Sequence, residues 1–338
     1  MSSSTMQTGE SGGMPNVNYG FIGIGRMGFP MALNVRAKMP SGSKLVVCDV
    51  DQSQVERFLH QSKSLGPVEA ASCPKEVAEQ CDVIITSLPP GKAVSQVFSD
   101  PSTSILAAGV RDRSKLVIDT STMDVQSSLD VSKQVVASGF GDFVDCPVSG
   151  GMIGAEGGKL SCMVGCSKEL FDDRVKPIVL AFSDPKAVYH CGGPGAGLAA
   201  KIVNNYVAMV SYVGLCEGIN IGVRYGLDPK LLTDVINAGS GMCWNSLYMC
   251  PIKGIQPTSS ATKDFLSGPD GGPGFDLATE ATDMTVELMH QVNAKSVMAP
   301  VMRNIWKRAQ ASPLCQGKEY RSLYLLFSEE DGRGIGGE

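Results

Sequence analysis

Several things are scarce in this 338-residue sequence. It has three histidines, 6% aromatic residues and no run of lysine or arginine, and its formal net charge is −5. That balance argues against nucleic acid or an anionic membrane surface as a partner. No apolar run approaches the ~20 residues expected of a membrane span. There is no CxxC pair and no Cys/His cluster; Cys162 and Cys166 are poorly spaced for zinc within a strand-like run. No metal site is therefore expected, and the eleven scattered cysteines read as reduced, intracellular thiols. His60, His190 and His290 lack ligand-like companions and read as surface or packed residues. Residues 1–18 contain no arginine and one charge, Glu10. A mitochondrial presequence is Arg-rich and amphipathic, so this segment reads as a disordered leader of a cytoplasmic protein, with a mitochondrial location as the alternative.

What is present begins with Tyr19-Gly20-Phe21-Ile22-Gly23-Ile24-Gly25-Arg26-Met27-Gly28, followed by a helical apolar pattern through Ala32, Leu33 and Val35. This is strand, tight turn and helix around a G-x-G-x-x-G. Gly23 permits the turn, Gly25 lets a pyrophosphate approach the backbone, and Gly28 lets the helix pack close to the strand. The helix N-terminus then offers free N–H groups to the phosphates. A second strand, 44–49, ends in Asp49, placed to bind the ribose hydroxyls of NAD. No arginine follows it to neutralise a 2′-phosphate, so NAD is expected in preference to NADP.

Strand and helix then alternate. Strands are expected over 80–89, 115–122, 143–148, 160–164 and 188–191, with helices from Asp51 to Gln61, Lys92 to Phe98 and Ser127 to Ser138. The pattern predicts a Rossmann-type, doubly wound parallel sheet, with ligands beyond the carboxyl ends of its strands. Leu88-Pro89, Ser121-Thr122 and Gly150-Gly151 all lie there. After Gly192-Gly193-Pro194-Gly195 the character changes to helix only: 198–223, 229–237 behind an Asp228 cap, 275–292 and 299–311, with a loop over 257–274. The expected plan is a leader (1–18), a dinucleotide-binding domain (19–193), an all-α substrate and oligomerisation domain (194–328) and a disordered tail (329–338).

Lys201 lies early in the first of these helices, and Asn205, four residues on, shares its face. An ammonium beside an amide suits acid–base work on a hydroxyl or carbonyl if the lysine is desolvated enough to titrate near neutrality. A solvated lysine and a packing asparagine are the bland alternative.

Five segments together resemble the β-hydroxyacid dehydrogenases, in order and spacing across residues 19–310: the glycine turn through Ala32, Ser87-Leu88-Pro89, Asp119-Thr120-Ser121-Thr122, Asp145-Cys146-Pro147-Val148-Ser149-Gly150-Gly151, and Gly195-Ala196-Gly197 to Lys201 with Asn204-Asn205. Ser240-Gly241-Met242-Cys243-Trp244 is similar to a stretch of the family's 3-hydroxyisobutyrate branch. The resemblance implies Lys201 as general acid/base, Asn205 as a hydrogen-bond partner of the substrate, and Ser121 with the backbone of Gly150 and Gly151 as holders of its carboxylate. It implies a cofactor path along Gly23, Gly25, Arg26, Met27, Gly28, Asp49, Leu88, Pro89, Ala93 and Thr122. It also implies a homodimer or homotetramer.

The sequence departs from the family pattern at Thr282, which stands where a cofactor-side lysine is usual, and at Met242, where the branch usually has arginine. The implied reaction is NAD-dependent oxidation of 3-hydroxyisobutyrate or a similar small 3-hydroxy acid to its semialdehyde. The alternatives are reduction of tartronate or succinic semialdehyde on the same site, and a non-catalytic dinucleotide-binding module.

Overall fold

The computed structural model describes residues 13–268 and 271–328. The chain divides into two compact units, Met1–Lys201 and Ile202–Glu338. The division falls later than the Gly-rich bend because the start of the long helix belongs to the first unit. Leu198, fully buried, lies in that unit's core.

The first unit is built on nine strands: β1 (Tyr19–Ile22), β2 (Leu45–Cys48), β3 (Val68–Ala70), β4 (Val83–Thr86), β5 (Lys115–Asp119), β6 (Gly141–Asp145), β7 (Val148–Ser149), β8 (Leu160–Gly165) and β9 (Ser183–Gly192). Their order is β3-β2-β1-β4-β5-β6-β8-β7, with β9 also beside β8. The first six are parallel, in the order of a Rossmann sheet. β1, β2, β4 and β5 are buried at every position, as strands covered on both faces must be. Successive residues feed opposite layers. Phe21, Val47, Ile85 and Ile118 join one core, and Ile22, Val46, Ile84 and Val117 the other.

Three expectations change. The sheet is not wholly parallel, because β8 runs antiparallel to β6 and β7. The connection from β6 to β8 runs through β7 and one six-residue helix, Gly151–Glu156. The expected strand over 80–89 is shorter, since helix Pro74–Gln80 ends where it should begin. Part of the expected leader is ordered. Met14 packs into the core, Tyr19 Oη donates to Pro15 O at 2.8 Å, and Asn18 N–H donates to Asp82 Oδ2 at 3.1 Å. The remainder, 1–12, and the tail, 329–338, lie outside the described residues.

The second unit is helical: the body of helix Ala196–Tyr225, then Pro229–Ala238, Phe275–Gln291 and Met298–Ala311. Among its described residues there is no strand beyond isolated bridges. Asp228 caps the second helix by accepting from Leu231 N–H at 2.8 Å. Tyr212, Cys216, Ile219, Met302, Trp306 and Leu323 form its core. Helix Ala196–Tyr225 is long and apolar enough, by length and composition only, to cross a membrane, and 39% of its most apolar stretch is buried inside the protein. That corrects the expectation that no such run exists. Eight of the eleven cysteines are buried, and Cys73, Cys191 and Cys243 are partly exposed.

Candidate active site

The carboxyl ends of the parallel strands converge on one row of main-chain and side-chain contacts. Gly23 N–H donates to Cys48 O at 2.9 Å, so the glycine turn leaves β1 against the end of β2. Gly23 takes φ +88°, and a Cβ there would meet Ser87 O at 2.3 Å; one on Gly28 would meet Gly23 O at 1.9 Å. Both glycines are thus required by close approach of the backbone. Gly25 is different: a Cβ there would meet nothing within 4 Å. The space in front of it is open, and the helix behind it, Gly28–Lys38, starts without a side-chain cap. Such a turn fits a pyrophosphate at a helix N-terminus.

Asp49 closes one side of this turn. Its Oδ2 accepts from Ile24 N–H at 2.7 Å and its Oδ1 from Asp51 N–H at 2.9 Å. Each oxygen keeps a lone pair for a ribose hydroxyl. On the other side Leu88, half-buried, leads from β4 towards β5: its N–H donates to Ser121 Oγ at 2.9 Å. Pro89 is exposed, and Ala93 and Thr122 are half-buried at the same sheet end. Arg26 is exposed and Met27 half-buried within the turn.

Beneath Ser121 lies a carboxylate that the reading of the residues did not single out. Asp119, 1% exposed, accepts on Oδ1 from Ser121 Oγ at 2.6 Å, Thr86 Oγ1 at 2.7 Å and Ser121 N–H at 3.2 Å. Its Oδ2 has no partner in the protein. Burial pushes its carboxyl above the usual range. The Ser121 hydroxyl is therefore directed at Asp119 in this structure. The available signal was an aspartate closing a strand straight after buried apolar residues, Val117-Ile118 before Asp119 and Phe143-Val144 before Asp145.

Lys201 stands in the second turn of helix Ala196–Tyr225, 8% exposed. Burial lowers its ammonium from the usual lysine range to about 8, and no charged neighbour contributes. Asn205, half-buried, follows one turn later on the same helix. Gly150 and Gly151, at φ +130° and +62°, lie exposed after β7 and open helix Gly151–Glu156.

Thr282 has a different place from the one expected. It is fully buried in the second unit. Its hydroxyl donates to Ala278 O at 2.9 Å and accepts from Trp306 Nε1 at 2.9 Å. Both hydrogen-bonding directions are taken within the helical core, so the residue ties two helices together rather than offering a polar group to a cofactor. Met242 is 51% exposed. Among the described residues no group of three or more His, Cys, Asp or Glu could hold a metal.

Residues 18–193 match the NAD-binding domain of 6-phosphogluconate dehydrogenase, and residues 195–320 match the NAD-binding domain of NADP-dependent 3-hydroxyisobutyrate dehydrogenase. The chain belongs to the β-hydroxyacid dehydrogenase family. It is 33% identical to the mitochondrial 3-hydroxyisobutyrate dehydrogenase of Mus musculus over 92% of this chain and 87% of that protein. A probable mitochondrial 3-hydroxyisobutyrate dehydrogenase of Dictyostelium discoideum is 33% identical over 93% and 87%. The 3-hydroxyisobutyrate dehydrogenase of Mycobacterium tuberculosis, solved with L-serine, superposes with a TM-score of 0.78 at 27% identity, covering 93% of this chain and 99% of that one. This family member is accordingly an oxidoreductase acting on CH–OH groups, a hydroxyacid dehydrogenase built to bind a nicotinamide dinucleotide. The open turn at Gly25 and the paired acceptors of Asp49 fit that cofactor.

Proposed function

We propose that this dehydrogenase oxidises 3-hydroxyisobutyrate, or a similar small 3-hydroxy acid, to its semialdehyde with NAD, and that Lys201 is its general acid/base. The observation that carries the reading is Lys201 itself, buried and held to about 8 by desolvation alone. A lysine in that range can exchange a proton near neutrality. When bound, the dinucleotide supplies the hydride acceptor. The protein's residues do the rest. The neutral Lys201 amine takes the proton of the substrate hydroxyl as oxidation proceeds and returns it in the reverse direction. Asn205 holds the substrate by hydrogen bonding. Ser121 and the N–H groups of Gly150 and Gly151 hold its carboxylate, which requires the Ser121 hydroxyl to turn from Asp119. Asp49, with Val50 and Asp51 after it and no cation, supports NAD over NADP by repelling a 2′-phosphate.

The test is kcat/KM for a panel of 3-hydroxy acids and semialdehydes with each cofactor. 3-Hydroxyisobutyrate with NAD should lead it, and Asp49→Ser should relax the cofactor preference. A clear lead for NADP in the unmodified protein would remove the Asp49 argument. A second substrate reading, reduction of tartronate or succinic semialdehyde on the same site, is resolved by the same panel. The relatives from Mus musculus and Dictyostelium discoideum are mitochondrial by name, which supports the mitochondrial alternative over a cytoplasmic location.

A further inference from the structure

Helix Ala196–Tyr225 is preceded by Gly195, and glycine has no side chain with which to cap it. The missing cap comes from a distant strand. Asp145, the last residue of β6 and 2% exposed, accepts from Gly195 N–H on Oδ1 at 2.7 Å and from Leu198 N–H on Oδ2 at 2.9 Å. The carboxylate is seated in a socket that only glycines can line. A Cβ on Gly165 would lie 2.4 and 2.5 Å from its two oxygens, and one on Gly197 would lie 2.9 Å from Oδ2 and 2.2 Å from Met163 O. Gly195 itself is held at φ +85°. Three stretches of main chain are thus locked round one buried carboxylate, and one of its donors, Leu198, stands three residues before Lys201.

We propose that Asp145 is a positioning residue of the reaction. It fixes the height and rotation of the helix start, and through it the place and the dryness of the Lys201 amine. The inference rests on the acid/base reading of Lys201 given above. Its physical content is that the lysine carries no ion pair of its own to hold it: burial alone sets its titration, so whatever seats the helix sets the burial. Burial raises the Asp145 carboxyl, and the N–H groups of Gly195 and Leu198, with the helix dipole, act against that rise.

Two variants disturb the socket in different ways. Asp145→Asn keeps one acceptor and loses the other. Gly165→Ala keeps the carboxylate and displaces it. Both should lower kcat by about ten-fold or more, the scale on which small misplacements of a reacting group act, while NAD affinity, read by quenching of protein fluorescence, stays close to parental. In both, the pH limb of kcat for oxidation should move upward from about 8, as water reaches the amine. If Asp145→Asn does not fold, Gly165→Ala carries the test alone. Parental kcat and pH limb in the folded variants would overturn the proposal. So would a downward movement of the limb in Asp145→Asn, the sign of direct charge interaction rather than positioning. Lys201→Ala serves as the reference. If it loses turnover while both socket variants keep theirs, the positioning role alone fails; if it keeps parental turnover, the acid/base reading fails first.

Discussion

At the scale of single residues, the reaction depends on one amine. Lys201→Ala should cut kcat by ~10²–10⁴, the usual worth of a positioned proton donor, with little change in NAD affinity, since the glycine turn and Asp49 lie elsewhere in the first unit. Lys201→Arg should fail as well, because a guanidinium stays protonated throughout the working range. Oxidation needs the neutral amine, so its kcat should rise with pH through about 8, and reduction, which needs the ammonium, should fall through the same value. A pH-independent rate from 6 to 10 (roughly the range spanning that value) would remove Lys201 from the chemistry. Thr282 makes a contrasting prediction. Thr282→Val leaves the Trp306 indole N–H without its acceptor and should cost ~1–3 kcal/mol in chemical unfolding. Thr282→Lys should cost more, because it places an ammonium in a fully buried site. Had Thr282 been a mere surface substitute for the family's lysine, the lysine variant would fold as well as the parent.

At the scale of elements, the two outer glycines and the middle one of the turn should separate cleanly. Gly28→Ala forces a Cβ to 1.9 Å from Gly23 O and should destabilise the first unit by ~1–3 kcal/mol. Gly25→Ala meets no protein atom within 4 Å. It should leave unfolding unchanged and weaken NAD binding about ten-fold or more, because the methyl takes the space a pyrophosphate would use. Equal effects of the two changes on stability would refute that division of labour. In a chain with 39 glycines the triplet alone says little, and the turn was legible because a strand and a helix flank it and Asp49 follows the next strand. The parallel strands were legible as short apolar runs, and the Asp228 cap as a polar residue before proline. The reversal at β8 was not legible, since strand direction depends on which neighbour a strand joins and leaves no trace in its apolar pattern. Nor was helix Pro74–Gln80, which the apolar run from Cys81 onward obscured. The roles of Asp119 and Asp145 were hidden for a similar reason: one partner of Asp119, Thr86, lies on another strand, and the partners of Asp145 lie at a helix start some fifty residues away. Thr282 was legible as a departure from the family but not as a brace, because its partner Trp306 lies on the next helix.

At the scale of the whole molecule, the long helix leaves Val203, Val207, Ile221 and Tyr225 at 53, 60, 69 and 85% exposure. Such an apolar face is where the homodimer or homotetramer implied by the family resemblance would associate. Light scattering across a dilution series should give at least a dimer. A monomer at micromolar concentration would contradict it.

The cysteines, finally, make the protein a clock of its own opening. Cys48, Cys81, Cys146, Cys162 and Cys166 are buried in the first unit, and Cys216, Cys250 and Cys315 in the second. A thiol reagent reaches such groups only when the surrounding structure opens. Cys73, Cys191 and Cys243 react first and mark zero time. The remaining eight then label at the rate of whichever unit encloses them, and peptide mass spectrometry reads the two rates from one sample without adding a probe. Bound NAD should slow the first set. Whether the second set slows with it measures how far the two units share one cooperative unfolding.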